Sequence, residues 1–380
     1  MPINKTTFTE RVDDLTKAVD VDDNVGRSVP KNINFSEEAF LTKDTGYIPF
    51  GSTADVLAHS PFVFKKKNGV SYVIRAKGTS LQRYSYADRD WVDVVGSPVF
   101  TAAAQFGYSI YGDELYLGNA VESLYKWDGA TFTEFATAPK GNILEVFEDR
   151  LFVSGVTAEP LSLYYSNAGA PSTFGASSVV KPLGTDYVNC LINYYGTLLI
   201  FKQNSIWKLT FVYDQVVALF VPKLEVQSGN YGACSRKAAV WVENDVWFFT
   251  GKEVRSIGYK DQQIGILGIN NSVISDSLKN TLKSINVANY PNVVSFYNAR
   301  RYHLAVPLTS ATNDTMFVCH TLYSNSWTKY INREKSRAGG SMVIDSVVYT
   351  SNQSSPYGII KWDVTSGDAA NQNAAFITES

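Results

Sequence analysis

Histidine, cysteine and carboxylate side chains carry most acid–base, nucleophilic and metal chemistry, so their number and spacing in this 380-residue chain come first. Three histidines occur, His59, His303 and His320, and none has a Glu, Asp or Cys neighbour at metal-ligand spacing. All three therefore read as structural residues, and no bound metal is expected. Cys190, Cys234 and Cys319 are widely separated, odd in number and form no C-x-x-C pair. That pattern suggests neither a disulfide framework nor a zinc site, and favours assembly in a reducing compartment. The chain has no G-x-S-x-G elbow, no Gly-rich phosphate loop and no dinucleotide fingerprint. No catalytic residue and no cofactor-binding residue can be named from it, and the expectation is a protein that is not an enzyme.

Charge narrows the partners further. Lys plus Arg (34) nearly balances Asp plus Glu (36), for a net charge of -2, so no global basic field draws the chain onto nucleic acid. The one basic run, Lys65 to Lys67, stands directly before Asn68 and Gly69 and reads as the solvated tip of a hairpin. The start, MPINKTTFTERVDD, lacks an apolar h-region, and no stretch approaches the roughly 18 apolar residues of a membrane helix. Neither a signal peptide nor a membrane segment is expected.

The elements that would position any site are strands. The chain is 13% aromatic and only 18% charged, with 23 Tyr, 21 Phe and 3 Met, a composition that suits half-buried pleated surfaces. A weak repeat runs through it, a turn followed by a short apolar strand: Asn68–Gly69 before VSYVIRA, Gly112–Asp113 before ELYLG, Glu148–Asp149 before RLFVSG and Gly196 before TLLIF. It continues at Asn244–Asp245 before VWFFTG, Ala299–Arg300 before RYHLAV and Ile344–Asp345 before SVVYTS. Partner strands follow within a hairpin's reach: SLQRYSY, SLYKWDG, SLYYSN, SIWKL, VRSIGY, MFVCHTLY and GIIKWD. Apolar runs left between the pairs, such as 101–110 and 237–242, require further strands. The spacing predicts an all-β fold, a β-propeller of about seven four-stranded blades.

Two segments depart from the repeat. Phe8, Val12, Leu15 and Val19 fall on one helical face behind a Thr7/Glu10 capping-box spacing, which predicts a short amphipathic helix and a candidate assembly contact. Ile274, Leu278, Leu282 and Ile285 line another face behind Ser275, predicting a helical insertion near 261–290 with Ser275 as its cap. The expected domains are an N-terminal helix and extended arm (1–50), the propeller with its insertion (51–366), and a C-terminal strand (367–380). In the arm, Ile33, Phe35, Phe40 and Tyr47 are apolar anchors. The last strand is expected either to close the ring onto the first blade or to start a further domain.

Propellers include glycosidases, which work with carboxylate pairs. The Asp boxes of sialidase-type propellers are absent; Asp128-Gly129-Ala130-Thr131-Phe132 keeps a fragment, and Asp128 reads as a hairpin turn residue. Trp127–Asp128 and Trp362–Asp363 lack the Gly-His partner of WD repeats.

RLFVSGVTAEPLSLYYSNAGAPSTF (150–174) resembles a stretch common in β-propeller tail proteins of tailed bacteriophages. Residues 57–84, 123–135 and 229–257 add to the likeness, which covers most of 50–365. Within that group the chain is most similar to nozzle, hub or DNA-stabilisation proteins of short-tailed phages. The resemblance implies a structural virion component of the tail, assembled in the host cytoplasm as a homo-oligomeric ring. Its partners would be other tail proteins on the adaptor or portal side and tail fibres, with genomic DNA passing transiently and without sequence-specific binding. It implies no catalytic residue and no cofactor. The alternatives are a carbohydrate-binding or host-recognition propeller and, behind it, a glycoside hydrolase propeller.

Overall fold

The computed structural model describes residues 33–35, 41–43 and 46–364, except for 217, 262–265, 271, 309–314, 322–325, 332–335, 346 and 353–357. Seven four-stranded antiparallel sheets follow one another along the chain. The first six take their strands in sequence order, so each of those blades is a meander whose turns need only short loops. The first six occupy Ala58–Asp93, Gly107–Phe135, Ile143–Val180, Val188–Ser228, Ala239–Ile269 and Val294–Ile331. The seventh combines Ser336–Ile344, Val347–Asn352 and Gly358–Val364 with a strand from the other end of the chain, Gly46–Pro49. The protein is a seven-bladed β-propeller.

The sequence repeat falls on the two middle strands of every blade. Its turns bring left-handed backbone to the start of the second strand: φ is 42° and 56° at Glu148 and Asp149, and 47° and 59° at Ala299 and Arg300. Two successive positive φ values match the twist of the strands they join. The second strand is largely buried because sheets cover it on both faces. In Thr197–Lys202 every residue is buried, down to Lys202, whose ammonium lies 2.9 Å from the Asp186 carboxylate and donates to the Leu183 carbonyl at 3.0 Å. Asp186 also accepts from the Asn204 backbone N–H at 2.9 Å.

Ring closure involves the segment expected to be a free arm. Ile33–Phe35 and Leu41–Lys43 form a two-stranded ribbon beside Ser326–Ile331, the outer strand of the sixth blade. The chain then enters the seventh blade as its fourth strand, with Tyr47 opposite Trp362 and Pro49 opposite Ile360. Immediately after it, Phe50 donates its N–H to the Ile359 carbonyl and stacks on Tyr84 with centroids 4.0 Å apart. It also meets Trp91 and Tyr349 edge-on at 5.8 and 4.8 Å. One ring thus joins the first blade to the seventh. The propeller therefore begins before residue 51, and closure uses an N-terminal strand because the last sheet has three strands of its own. Residues 1–32 and 365–380, with the expected helix of Phe8, Val12, Leu15 and Val19 and the expected C-terminal strand, lie outside the described residues.

The insertion is shorter than expected. Val254–Asp261 and Ile266–Ile269 are strands of the fifth blade, and only Asp276–Asn292 carries helical turns: the short α-helix Lys279–Lys283 and 3-10 turns at Asp276–Leu278 and Val287–Asn292. Ser275 makes no side-chain cap; its Oγ accepts from the Val254 N–H at 2.8 Å, pinning the insertion to the blade instead. Leu278, Leu282 and Ile285 are buried in the core against which they pack.

Two substitutions test these joints. Phe50→Ala should cost about 2–3 kcal/mol, below the full loss for a buried Phe because its ring is only partly covered. Asp186→Asn leaves a buried ammonium without its counter-charge and should cost about 3 kcal/mol. Urea unfolding of each variant against the parent measures both.

Candidate functional site: the axial cavity and a projecting ribbon

The first strands of all seven blades meet around the ring axis, and their leading residues enclose a partly open cavity of about 420 Å³. Its wall is mainly apolar, with Phe62, Tyr108, Val240, Phe296 and Met342 among its residues, and no acidic residue lines it among the described residues. Phe62 and Tyr108 stack at 4.9 Å, and the Tyr108 hydroxyl is buried without a hydrogen-bond partner. Gly107 belongs to the same wall, and a Cβ there would collide with the Asn142 carbonyl of the next blade. Strands this close to the axis leave no room for a side chain at that point.

Two cations from the segment leading into the fifth blade enter this cavity. Arg236 donates to the Asn142 carbonyl at 3.2 Å and to the Gln105 carbonyl at 3.5 Å. It thereby spans the axis to the third blade and to the loop leading into the second. Lys237 is held by its backbone, whose carbonyl accepts from the Ser295 N–H at 2.7 Å and from the Ser295 hydroxyl at 2.9 Å. Among the described residues neither cation forms an ion pair. Burial brings the Arg236 guanidinium down to about 10, and burial together with Arg236 brings the Lys237 ammonium down to about 7. Beside them His59 is fully buried, its Nδ1 2.9 Å from the Ser60 hydroxyl and its Nε2 without a partner. Burial first, then Lys237 and Arg236, lower His59 to about 4.

The arrangement suits holding negative charge more than performing nucleophilic chemistry. Cys190 lines the cavity, but burial, followed by the nearby Glu145 carboxyl, pushes its thiol up to about 12, which leaves it protonated and inert. Burial also lifts Glu145 to about 7. No group of three or more His, Cys, Asp or Glu residues could hold a metal ion among the described residues.

A second feature lies on the fourth blade. Strands Ile206–Asp214 and Leu219–Ser228 pair along their whole length, whereas the preceding strand Thr197–Lys202 reaches only Leu209. From Thr210 the two continue as a ribbon without a third strand among the described residues. Its base is held by Phe211, which takes the Arg150 guanidinium over its ring at 4.6 Å and packs edge-on against Tyr165 at 5.8 Å. Towards the tip, Tyr213 faces Phe220 across the ribbon at 5.4 Å, and both are more than half exposed. Leu219 and Val216 add 64% and 94% exposed side chains.

The residues singled out in the sequence are dispersed. His303 stacks on Phe296 at 4.5 Å in the sixth blade, and His320 ends the strand Thr315–His320. The three cysteines are buried and unpaired by disulfides. Asp128 is a turn residue: its carboxylate accepts from the Ala130 and Thr131 N–H groups at 2.8 and 2.7 Å, with Gly129 at φ 99°. The lysine run is more than a solvated tip, because Lys66 donates to the Asp128 carbonyl at 2.8 Å and the Lys67 N–H to Asp113 at 2.7 Å, tying the first blade to the second. Arg236 and Lys237 escaped sequence reading. The one available signal was a pair of cations directly before an apolar first strand, which is ordinary at a strand end.

No protein-family model matches the sequence, and no curated protein matches it. Solved structures do share its fold. YCF48 from Cyanidioschyzon merolae is 10% identical, with a TM-score of 0.50 over 83% of this chain and 98% of that one. A structure of YCF48 bound to D1 peptide is 10% identical, with a TM-score of 0.48 over 90% and 100%. A "putative 6-phosphogluconolactonase" from Bacteroides uniformis is 11% identical, with a TM-score of 0.48 over 82% and 96%. At these identities the likeness concerns the fold alone.

The depressed His59 sets a pH dependence. Between the ordinary histidine value of 6.5 and about 4, the unfolded chain binds a proton that the folded protein refuses. The unfolded state is therefore favoured as pH falls through that window, and the effect vanishes above it. His59→Gln should remove about 2 kcal/mol of the stability lost between about pH 7 and about pH 4.5. Urea midpoints of parent and variant at the two pH values provide the comparison.

Proposed function

We propose that this chain is a structural, non-catalytic subunit of a phage tail nozzle or hub ring, in which a rigid propeller presents a docking ribbon to neighbouring subunits and tail proteins. The observation that carries the reading is the exposed apolar end of the fourth-blade ribbon. A lone two-stranded hairpin is marginal in water, and Tyr213, Val216, Leu219 and Phe220 on it are large, apolar and exposed. Such a surface is an aggregation hazard unless something covers it, and a subunit of an assembly supplies that cover.

Two further facts support the reading. The propeller axis is crossed by Arg236 and opens only into a small cavity, so DNA would pass through the lumen of the ring of subunits and not through a single propeller. The net charge of -2 suits a conduit wall, since many phosphate contacts from Lys and Arg would hold DNA by counterion release. The stripe Phe8, Val12, Leu15 and Val19 is the second proposed contact, to an adaptor-side neighbour or another copy.

The test is assembly. The double variant Tyr213→Ser, Phe220→Ser should melt within about 2 °C of the parent, since both side chains lie on the exposed end of the ribbon. It should no longer form the parent's ring in negative-stain images and light scattering. A parent that stays monomeric at high concentration, or a double variant that still forms the same ring, would refute the proposal.

A further inference from the structure

Among the described residues the axial cavity holds two cationic side chains and no anionic one, and that imbalance asks for a ligand. Arg236 uses part of its guanidinium on the Asn142 and Gln105 carbonyls, which fixes its plane across the axis. Lys237 has no hydrogen-bond or ion-pair partner for its ammonium among the described residues, although it stands in the same wall. Holding two like charges together away from bulk water is costly unless an opposite charge joins them. The usual protein solution, a nearby Asp or Glu, is missing from the wall among the described residues.

The remainder of the cavity has a different character. Phe62, Tyr108, Phe296 and Met342 offer aromatic and aliphatic surface. Its volume, about 420 Å³, falls within the range of small-molecule pockets, and mainly apolar walls with a few convergent polar groups are their usual lining. Arg and Lys side by side suit a planar or tetrahedral oxyanion, the guanidinium through directed N–H donors and the ammonium as a point charge.

We infer that the axial cavity binds a small organic oxyanion, a carboxylate or phosphate ester with an apolar body, whose charged end is held by Arg236 and Lys237. The body lies against Phe62, Tyr108, Phe296 and Met342. This site is independent of the ribbon and of any assembly, and a monomeric protein should show it equally.

Isothermal titration of the full chain with phenyl phosphate, benzoate and benzyl alcohol tests the inference. At least one of the two anions should bind saturably, and which of them binds more tightly identifies the preferred head group; benzyl alcohol, with the body but no charge, should give no saturable heat. Lys237→Met should weaken the anion about tenfold, as expected for loss of one charge-assisted contact. Arg236 is left unchanged because it also joins the blades. Val240→Trp, which fills the cavity from its wall, should abolish binding, and thermal melting of both variants checks that they are folded. The inference is overturned if neither anion binds at millimolar concentration, if benzyl alcohol binds as well as the anions, or if either folded variant binds like the parent.

Discussion

A circular array of sheets has no natural end. Each blade covers one face of the next, so an unclosed ring would expose the faces of its first and last sheets to water. Here that constraint is met by four residues, Gly46–Pro49, which pair with the last strand of the seventh blade, and by Phe50, which lies on residues of both end blades. The backbone pairing and the aromatic contact act together. The first fixes where the chain must turn, and the second fills the gap between the two sheets at that turn.

Closure also explains the character of the axis. Seven first strands converge there, closely enough that Gly107 cannot carry a side chain. The space they enclose is small and mostly apolar. Arg236 crosses it and donates to carbonyls at the entries of the adjacent second and third blades, so its charge is retained in a setting that otherwise disfavours charge. Burial first, and the neighbouring cations second, make Lys237 and His59 give up protons more readily than usual. A group of cations at the centre of a neutral protein thus has a geometric origin.

The fourth blade follows the opposite logic. Its third and fourth strands outgrow their sheet, and beyond Thr210 no further strand pairs with them among the described residues. Arg150 and Tyr165 hold the ribbon at its base through Phe211, so it is aimed as well as exposed. Rigid blades with one aimed extension make a component that can be stacked against others, which is the mechanical basis of the ring proposal.

Much of this architecture was legible in the sequence because its cause is local. The turns at Glu148–Asp149 and Ala299–Arg300, and the alternation within each hairpin, depend on residues a few positions apart, and they place the middle strands of all seven blades. Asp128 was readable as a turn residue for the same reason. Other features depend on distant partners. Nothing local distinguishes Gly46–Pro49 from an unattached extended arm, since its partner lies more than 300 residues away. Ser275 has the side chain of a helix cap, yet the nearby Val254 N–H claims its oxygen. Lys66 looks like any solvated lysine until the second blade brings the Asp128 carbonyl to it. Arg236 and Lys237 acquire their meaning only when seven strands meet and exclude both water and counter-charge. Local backbone preference, written in neighbouring residues, determined the blades; the closing strand and the charged axis were decided by contacts between residues that only the folded ring brings together.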